Sequence, residues 1–239
     1  MRILLVADIH ANWAALQALE EPHDICFCLG DLVDYGLEPV PCIDWVRRHA
    51  HYLVRGNHDH AVAQNVVVNG RHSGYKYLSG VTRVLTRQRL TPEHFRFLAS
   101  MPVTQAVTAA DTRFLLVHAT PRDPLDEYAR PDVEFWTRRL QDVDTDVVCV
   151  GHTHQPYVLE VGDKLVINPG SVGQPRDGDP RAAYAVIDDN RVELRRVDYP
   201  IEETVRTVQE SSLSEEDKEM LISVFRTGRS APKKDEQNM

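Results

Sequence analysis

A chain of 239 residues with 42% hydrophobic content can bury one sizeable core, and nothing in its middle reads as a linker. A formal net charge of −9, uninterrupted by any stripe of Lys and Arg, repels a polyanion and argues against duplex nucleic acid as a partner. The first apolar run begins at Ile3 with no signal-peptide core before it, and no stretch of about 20 apolar residues could span a membrane. The expectation is therefore a soluble, cytoplasmic protein with no membrane partner.

In chain order, the apolar, β-branched run Ile3-Leu4-Leu5-Val6 reads as a buried strand and ends in Asp8-Ile9-His10. An amphipathic helix is expected over Trp13 to Glu20. A second strand, Ile25 to Leu29, ends in Gly30-Asp31-Leu32-Val33-Asp34, and a helix with proline in its first turn follows from Pro41 to Arg48. Tyr52-Leu53-Val54 is the third strand and ends in Gly56-Asn57-His58-Asp59. Strand and helix thus alternate, which implies parallel pairing with right-handed crossovers.

Between Asp59 and His118 the pattern changes to two helices, about Tyr75 to Gln88 and Pro92 to Ala99, the second with Thr91 as N-cap. Residues 60–110 are expected to pack beside the strand ends as a partial cap. Phe114 to Val117 is the strand before His118, Val133 to Leu140 a helix, and Val147 to Val150 the strand before Gly151-His152-Thr153-His154. Beyond it the strands are closely spaced: Tyr157 to Val161, Leu165 to Asn168, Ala183 to Ile187 and Val192 to Val197, joined by Gly162-Asp163 and Asp188-Asp189-Asn190. Such spacing means antiparallel strands. Two helices, Glu202 to Glu210 and Glu215 to Phe225, close a single domain over residues 1–228, and residues 229–239 are expected to be disordered. The pattern suggests an α/β fold of two mixed sheets flanked by helices. Cys26, Cys28, Cys42 and Cys149 lack the spacing of a thiolate metal site and read as reduced core residues.

Five strand-end loops therefore carry carboxylate, amide and imidazole side chains, and ligands bind at the carboxyl ends of strands in open α/β sheets. Mixed imidazole and carboxylate donors without thiolate suit manganese, iron, zinc, cobalt or nickel. Their order, D-x-H, G-D-x-x-D, G-N-H-D, H and G-H-x-H, resembles that of the calcineurin-like metallophosphoesterases from Met1 to about Tyr199. The loop Asn168-Pro169-Gly170-Ser171 is similar to the small bacterial and archaeal phosphodiesterase branch.

The resemblance implies a four-layer α/β/β/α sandwich and two divalent cations. It assigns Asp31 as the bridge, Asp8, His10 and His154 to one cation, and Asn57, His118 and His152 to the other. It implies hydrolysis of small phosphodiesters or nucleoside polyphosphates by a metal-bound hydroxide, with His58 as general acid. An imidazole suits that role because its unperturbed pKa is about 6.5. Asp34 matches the carboxylate that orients this histidine. Arg122 and Arg176 are candidates to contact substrate phosphate, and Asn12 is a candidate to support the substrate site through a hydrogen bond behind it. Tyr35 stands where protein serine/threonine phosphatases have an arginine, which disfavours a phosphoprotein phosphatase. The remaining alternative is a non-catalytic scaffold of the same fold, but such relatives lose the histidine that stands here as His58. Composition and spacing leave the oligomeric state open.

Overall fold

The computed structural model describes residues 1–66, 74–189 and 191–229. Along the chain these form β1 (Arg2–Val6), α1 (Trp13–Gln17), β2 (Ile25–Cys28), α2 (Pro39–His49), β3 (Tyr52–Leu53), α3 (Asn57–Gln64), α4 (Gly74–Arg89) and α5 (Pro92–Ser100). There follow β4 (Thr104–Ala109), β5 (Thr112–Val117), α6 (Val133–Leu140), β6 (Val147–Cys149), β7 (Tyr157–Val161) and β8 (Lys164–Asn168). Last come β9 (Ala182–Asp188), β10 (Arg191–Val197), α7 (Ile201–Gln209) and α8 (Glu215–Thr227). Two of these elements were not expected from the sequence, the helix α3 and the strand β4. The expected tail from residue 230 onward, residues 67–73 of the insert and Asn190 of the last turn lie outside the described residues.

The strands form two mixed five-stranded sheets in the orders β10-β9-β1-β2-β3 and β4-β5-β6-β8-β7. In the first, β1 pairs with β2 and β2 with β3 in parallel, while β9 and β10 complete the other edge antiparallel. In the second, β5, β6 and β8 run parallel between antiparallel edge strands.

Side-chain alternation along the strands builds the layers. Ile3, Leu5, Phe27 and Leu29 face inward against Phe114, Leu116, Cys149 and Ile167 of the second sheet. Their neighbours Leu4, Val6, Cys26 and Cys28 face outward and are covered by Leu16 of α1, Ile43 and Val46 of α2 and Leu98 of α5. On the outer face of the second sheet, Trp136 and Leu140 of α6 cover Val148 and Val166. The result is helix, sheet, sheet, helix. Among the described residues no helix is long and apolar enough to cross a membrane. All four cysteines are buried and free, and burial pushes the Cys26 thiol up to about 12.

Within the insert, α5 packs on the first sheet and β4 joins the second, while α4, with His60, Ala61 and Val66, reaches the strand-end loops. Helices α7 and α8 bring Val208, Leu221 and Phe225 against Leu78 of α4 and Tyr35 of the second loop. The C-terminal helices thereby brace that loop from behind.

The eight residues of α6 must seal the second sheet, and Trp136 is its largest fully buried side chain, with Nε1 donating to the Arg130 carbonyl at 3.1 Å. Trp136→Ala should lower the unfolding free energy by about 3–5 kcal/mol, measured by urea denaturation of wild type and variant. A loss below about 1 kcal/mol would mean that α6 is not the essential cover of this sheet.

Candidate metal centre

The parallel strands set the site. β1, β2, β3, β5 and β6 all deliver their carboxyl ends to the same edge of the sandwich, and Asp8, His10, Asp31, Asn57, His118, His152 and His154 follow them directly. The structure brings all seven together. Asp8, His10, Asp31 and His154 form one group of donor atoms mutually within 4.8 Å, and Asp31, His118 and His152 form a second. The Asn57 amide oxygen joins the second group, 3.2 Å from His118 Nε2 and 3.2 Å from His152 Nδ1. Asp31 belongs to both.

A strand that simply continued would point alternate residues the same way, without converging them. Here the chain turns sharply through the left-handed region at Asp8 (φ 53°), His10 (φ 48°), Asp31 (φ 58°), His152 (φ 64°) and His154 (φ 57°), none of them glycine. Each such residue costs about 1–2 kcal/mol. Backbone bonds offset that cost: Asp8 N to Gly30 O at 3.0 Å, His10 N to Asp31 O at 2.9 Å, Gly151 N to His118 O at 2.8 Å and Gly173 N to Asp8 O at 3.0 Å. At Gly56 the close approach forces glycine, since a Cβ would lie 2.0 Å from Asp31 Oδ1.

Hydrogen bonds outside the centre fix which nitrogen each imidazole presents to it. The Nδ1–H groups of His10, His118 and His154 donate to the carbonyls of Val33 (2.9 Å), Leu29 (2.7 Å) and Gln174 (2.5 Å). A carbonyl only accepts, so the Nδ1 proton is settled and each Nε2 turns inward, as a lone pair on His10 and His154 and, without a cation, as an N–H on His118. His10 Nε2 and His154 Nε2 face each other at 3.1 Å. Asp31 Oδ1 accepts from His58 N at 2.9 Å, whereas its buried Oδ2 has His118 Nε2 at 3.2 Å and His10 Nε2 at 3.8 Å. The lone pairs of the neutral His10 and His154, packed against each other and beside this carboxylate, repel. A divalent cation relieves that repulsion, and the donor set fits one.

Charge states follow from the same crowding. Burial alone would raise the Asp31 carboxyl, but the histidines around it, His118 first, hold it well below its ordinary value. Burial pushes Asp8 up to about 7. Burial opposes a charge on His118 as well, yet Asp31 beside it prevails and lifts its pKa to about 10. His10 and His154 are driven well below 6.5 by burial. Without a cation, a proton on His118 neutralises part of the centre.

Beside these donors lies His58, in the first turn of α3, with Nε2 3.9 Å from Asp31 Oδ2. Its Nδ1–H donates to Asp34 Oδ2 at 2.7 Å. The same oxygen accepts from Arg83 Nε at 2.9 Å and also from Arg83 Nη2. Arg83 was not anticipated from the sequence. It lies on α4, whose buried face carries Ser79, Thr82, Arg83 and Thr86, a polar stripe at helical spacing that was the available signal. Asp59 has a structural place: its carboxylate accepts from Gly56 N at 3.0 Å, Asp31 N at 2.8 Å and Leu32 N at 2.8 Å. It clamps the Asp31 loop to the start of α3.

The three residues expected to meet substrate separate. Arg176 lines a cleft of about 430 Å³ over the centre, together with His58, Tyr75 and Lys76. Arg122 does not line it. It is exposed on a turn closed by Ala119 N to Pro124 O at 3.0 Å and Thr120 N to Asp123 O at 3.1 Å. Asn12 is fully buried and caps α1 through Ala15 N (3.3 Å), and its amide group also bonds Gly173 O (2.8 Å) and Thr204 Oγ1 (2.7 Å). That amide is engaged within the fold.

Comparison with known proteins gives a consistent result. The profile of the calcineurin-like phosphoesterase superfamily domain matches residues 1–191. An uncharacterized protein of Methanocaldococcus jannaschii is 33% identical over 242 residues, spanning 89% of this chain and 94% of that one. The crystal structure of a metallophosphoesterase from Sphaerobacter thermophilus is 34% identical and superposes with a TM-score of 0.78 over 95% of this chain and 99% of its own. A hypothetical protein from Pyrococcus horikoshii OT3 shares the fold at 19% identity, with a TM-score of 0.82 over 96% and 99% of the two chains.

The raised pKa of His118 fixes the sign of a pH effect. The proton it holds up to about pH 10 must leave before Nε2 can bind a cation, so affinity for Mn²⁺ should rise with pH across the neutral range. Calorimetric titrations in buffers of different ionisation enthalpy should show release of about one proton per protein at mildly alkaline pH. Heats independent of the buffer would contradict this charge assignment.

Proposed function

This chain belongs to the calcineurin-like phosphoesterase superfamily, and from that premise we propose that it hydrolyses small phosphodiesters or nucleoside polyphosphates at a centre of two divalent cations. The observation that carries the reading is the pair of buried donor groups sharing one carboxylate, Asp31. Asp8, His10 and His154 would hold one cation, and Asn57, His118 and His152 the other. When bound, such cations supply a nucleophilic water at neutral pH and neutralise the phosphoryl oxygens.

What the chain itself adds is proton delivery and orientation. His58 is the proton donor to the leaving oxygen, acting from Nε2, because its Nδ1–H is already committed to Asp34. Asp34 fixes the ring plane. Arg83 in turn fixes Asp34, since a buried carboxylate bonded twice by one guanidinium cannot rotate without breaking both bonds. Arg176, at the wall of the cleft, would meet an anionic group of the substrate. The cleft volume supports a small substrate, and the ligand set together with His58 supports an enzyme over a scaffold.

Removing the proton donor without removing a ligand tests this reading. His58→Gln should retain its metals and fold and lose about 10²–10⁴ in kcat. The loss should be smaller for nitrophenyl esters, whose leaving group needs little protonation, than for alkyl esters. Equal losses across leaving groups would exclude His58 as general acid.

A further inference from the structure

The cleft over the metal centre does not end at Arg176. A second cleft of about 770 Å³ is lined by Tyr75, Tyr128, Gln155, Arg176, Asp177 and Arg229, and the two share Tyr75 and Arg176 as common walls. This second cleft is a trough that adjoins the first at that wall. Its volume lies in the range of small-ligand and cofactor sites, about 300–1,000 Å³.

The walls have a definite chemistry. The Arg176 guanidinium lies over the Tyr75 ring, 4.2 Å from its centroid, and Nε and Nη2 are held by Gln174 Oε1 at 3.3 and 2.9 Å. Among the described residues Nη1 makes no hydrogen bond. An arginine held flat in this way is pre-organised for a phosphate oxygen. Its carboxylate neighbour in the trough, Asp177, is paired with Arg196 and does not compete. Across the trough Tyr128 is 49% exposed, although its ring packs edge-on to the His152 ligand at 5.7 Å. An aromatic ring left half in water beside a metal ligand is a stacking surface. Gln155, directly after His154, is exposed and carries an amide able to pair with the edge of a heterocycle.

We propose that this trough is a nucleotide subsite: Arg176 takes a phosphate next to the scissile one, and Tyr128 and Gln155 take the base. The inference rests on the hydrolytic reading of the adjoining centre and narrows its substrates to nucleotide esters and anhydrides. A cationic, aromatic wall on a chain of net charge −9 is a local exception, which favours nucleotide polyanions there.

Binding can be measured apart from turnover. Adenosine 5′-(α,β-methylene)diphosphate and methylenediphosphonate, which resist hydrolysis and differ by the nucleoside, are titrated calorimetrically into the manganese-loaded protein. Tyr128→Ala, a half-exposed position that tolerates truncation, should weaken the nucleotide analogue about tenfold and methylenediphosphonate by about twofold or less. Arg176→Ala, with Arg176→Lys as a charge-preserving second variant, should weaken both about tenfold or more. Equal effects of Tyr128→Ala on the two probes, or unchanged binding of both to the Arg176 variants, would overturn the subsite. Hydrolysis of bis(p-nitrophenyl) phosphate by the wild-type preparation reports separately on the catalytic reading, so the two failures are distinguishable.

Discussion

One carboxylate organises this structure. Asp31 has its N–H bound by Asp59, its Oδ1 by the His58 N–H, and its Oδ2 turned into a ring of imidazole nitrogens, with His118 Nε2 at 3.2 Å. A buried acceptor left unsatisfied costs about 1–3 kcal/mol, and here the neutral His10 and His154 turn lone pairs toward each other beside that carboxylate. The protein therefore carries a concentration of electrostatic repulsion at its strand ends. Folding stability elsewhere must hold it, and a cation releases it. That is why the same residues govern both local stability and the proposed chemistry.

The sandwich supplies the rigidity. With hydrophobic faces meeting between the sheets and helices on both outer faces, five parallel strands end at fixed heights, so that residues from loops as distant in sequence as Asp8 and His154 meet. Left-handed backbone at five of the donors would be expensive in a free loop. It persists here because neighbouring loops bond to one another across the site, with Ser171 Oγ and Gly173 N both donating to Asp8 O at 2.7 and 3.0 Å. The C-terminal helices contribute at one remove, packing on Tyr35 and α4, and α4 in turn carries Arg83 to Asp34.

The two mixed sheets were legible in the sequence because apolar runs bounded by Gly and polar residues are a local signal, and the convergence of the seven strand-end side chains followed from their order along the chain, which resembles that of a known family. What was not legible depends on tertiary placement. Asn57 and His58 read as loop residues, yet they open α3, since Gly56 with Asp59 three positions on forms an N-terminal cap that a search for ligands overlooks. Arg83 lies 49 residues from Asp34, and no local pattern ties the two. Asn12 lies in the core, where its amide caps α1 and holds Gly173 O, and Arg122, a candidate for its nearness in sequence to a ligand, is carried outward by a tight turn. Arg176 was chosen on the same ground and does line the cleft, because Gln174 and Tyr75 hold it there.

The central claim is that Asp31 is shared by two cations. Elemental analysis of manganese-loaded protein, wild type and Asp31→Asn side by side, addresses it directly. The account predicts two ions per chain in the wild type and the loss of both, or of all but a weakly held one, in the variant, because the amide removes the charge that offsets the repulsion between them. A wild type saturated at one ion, or an Asp31→Asn protein that retains two, would contradict it.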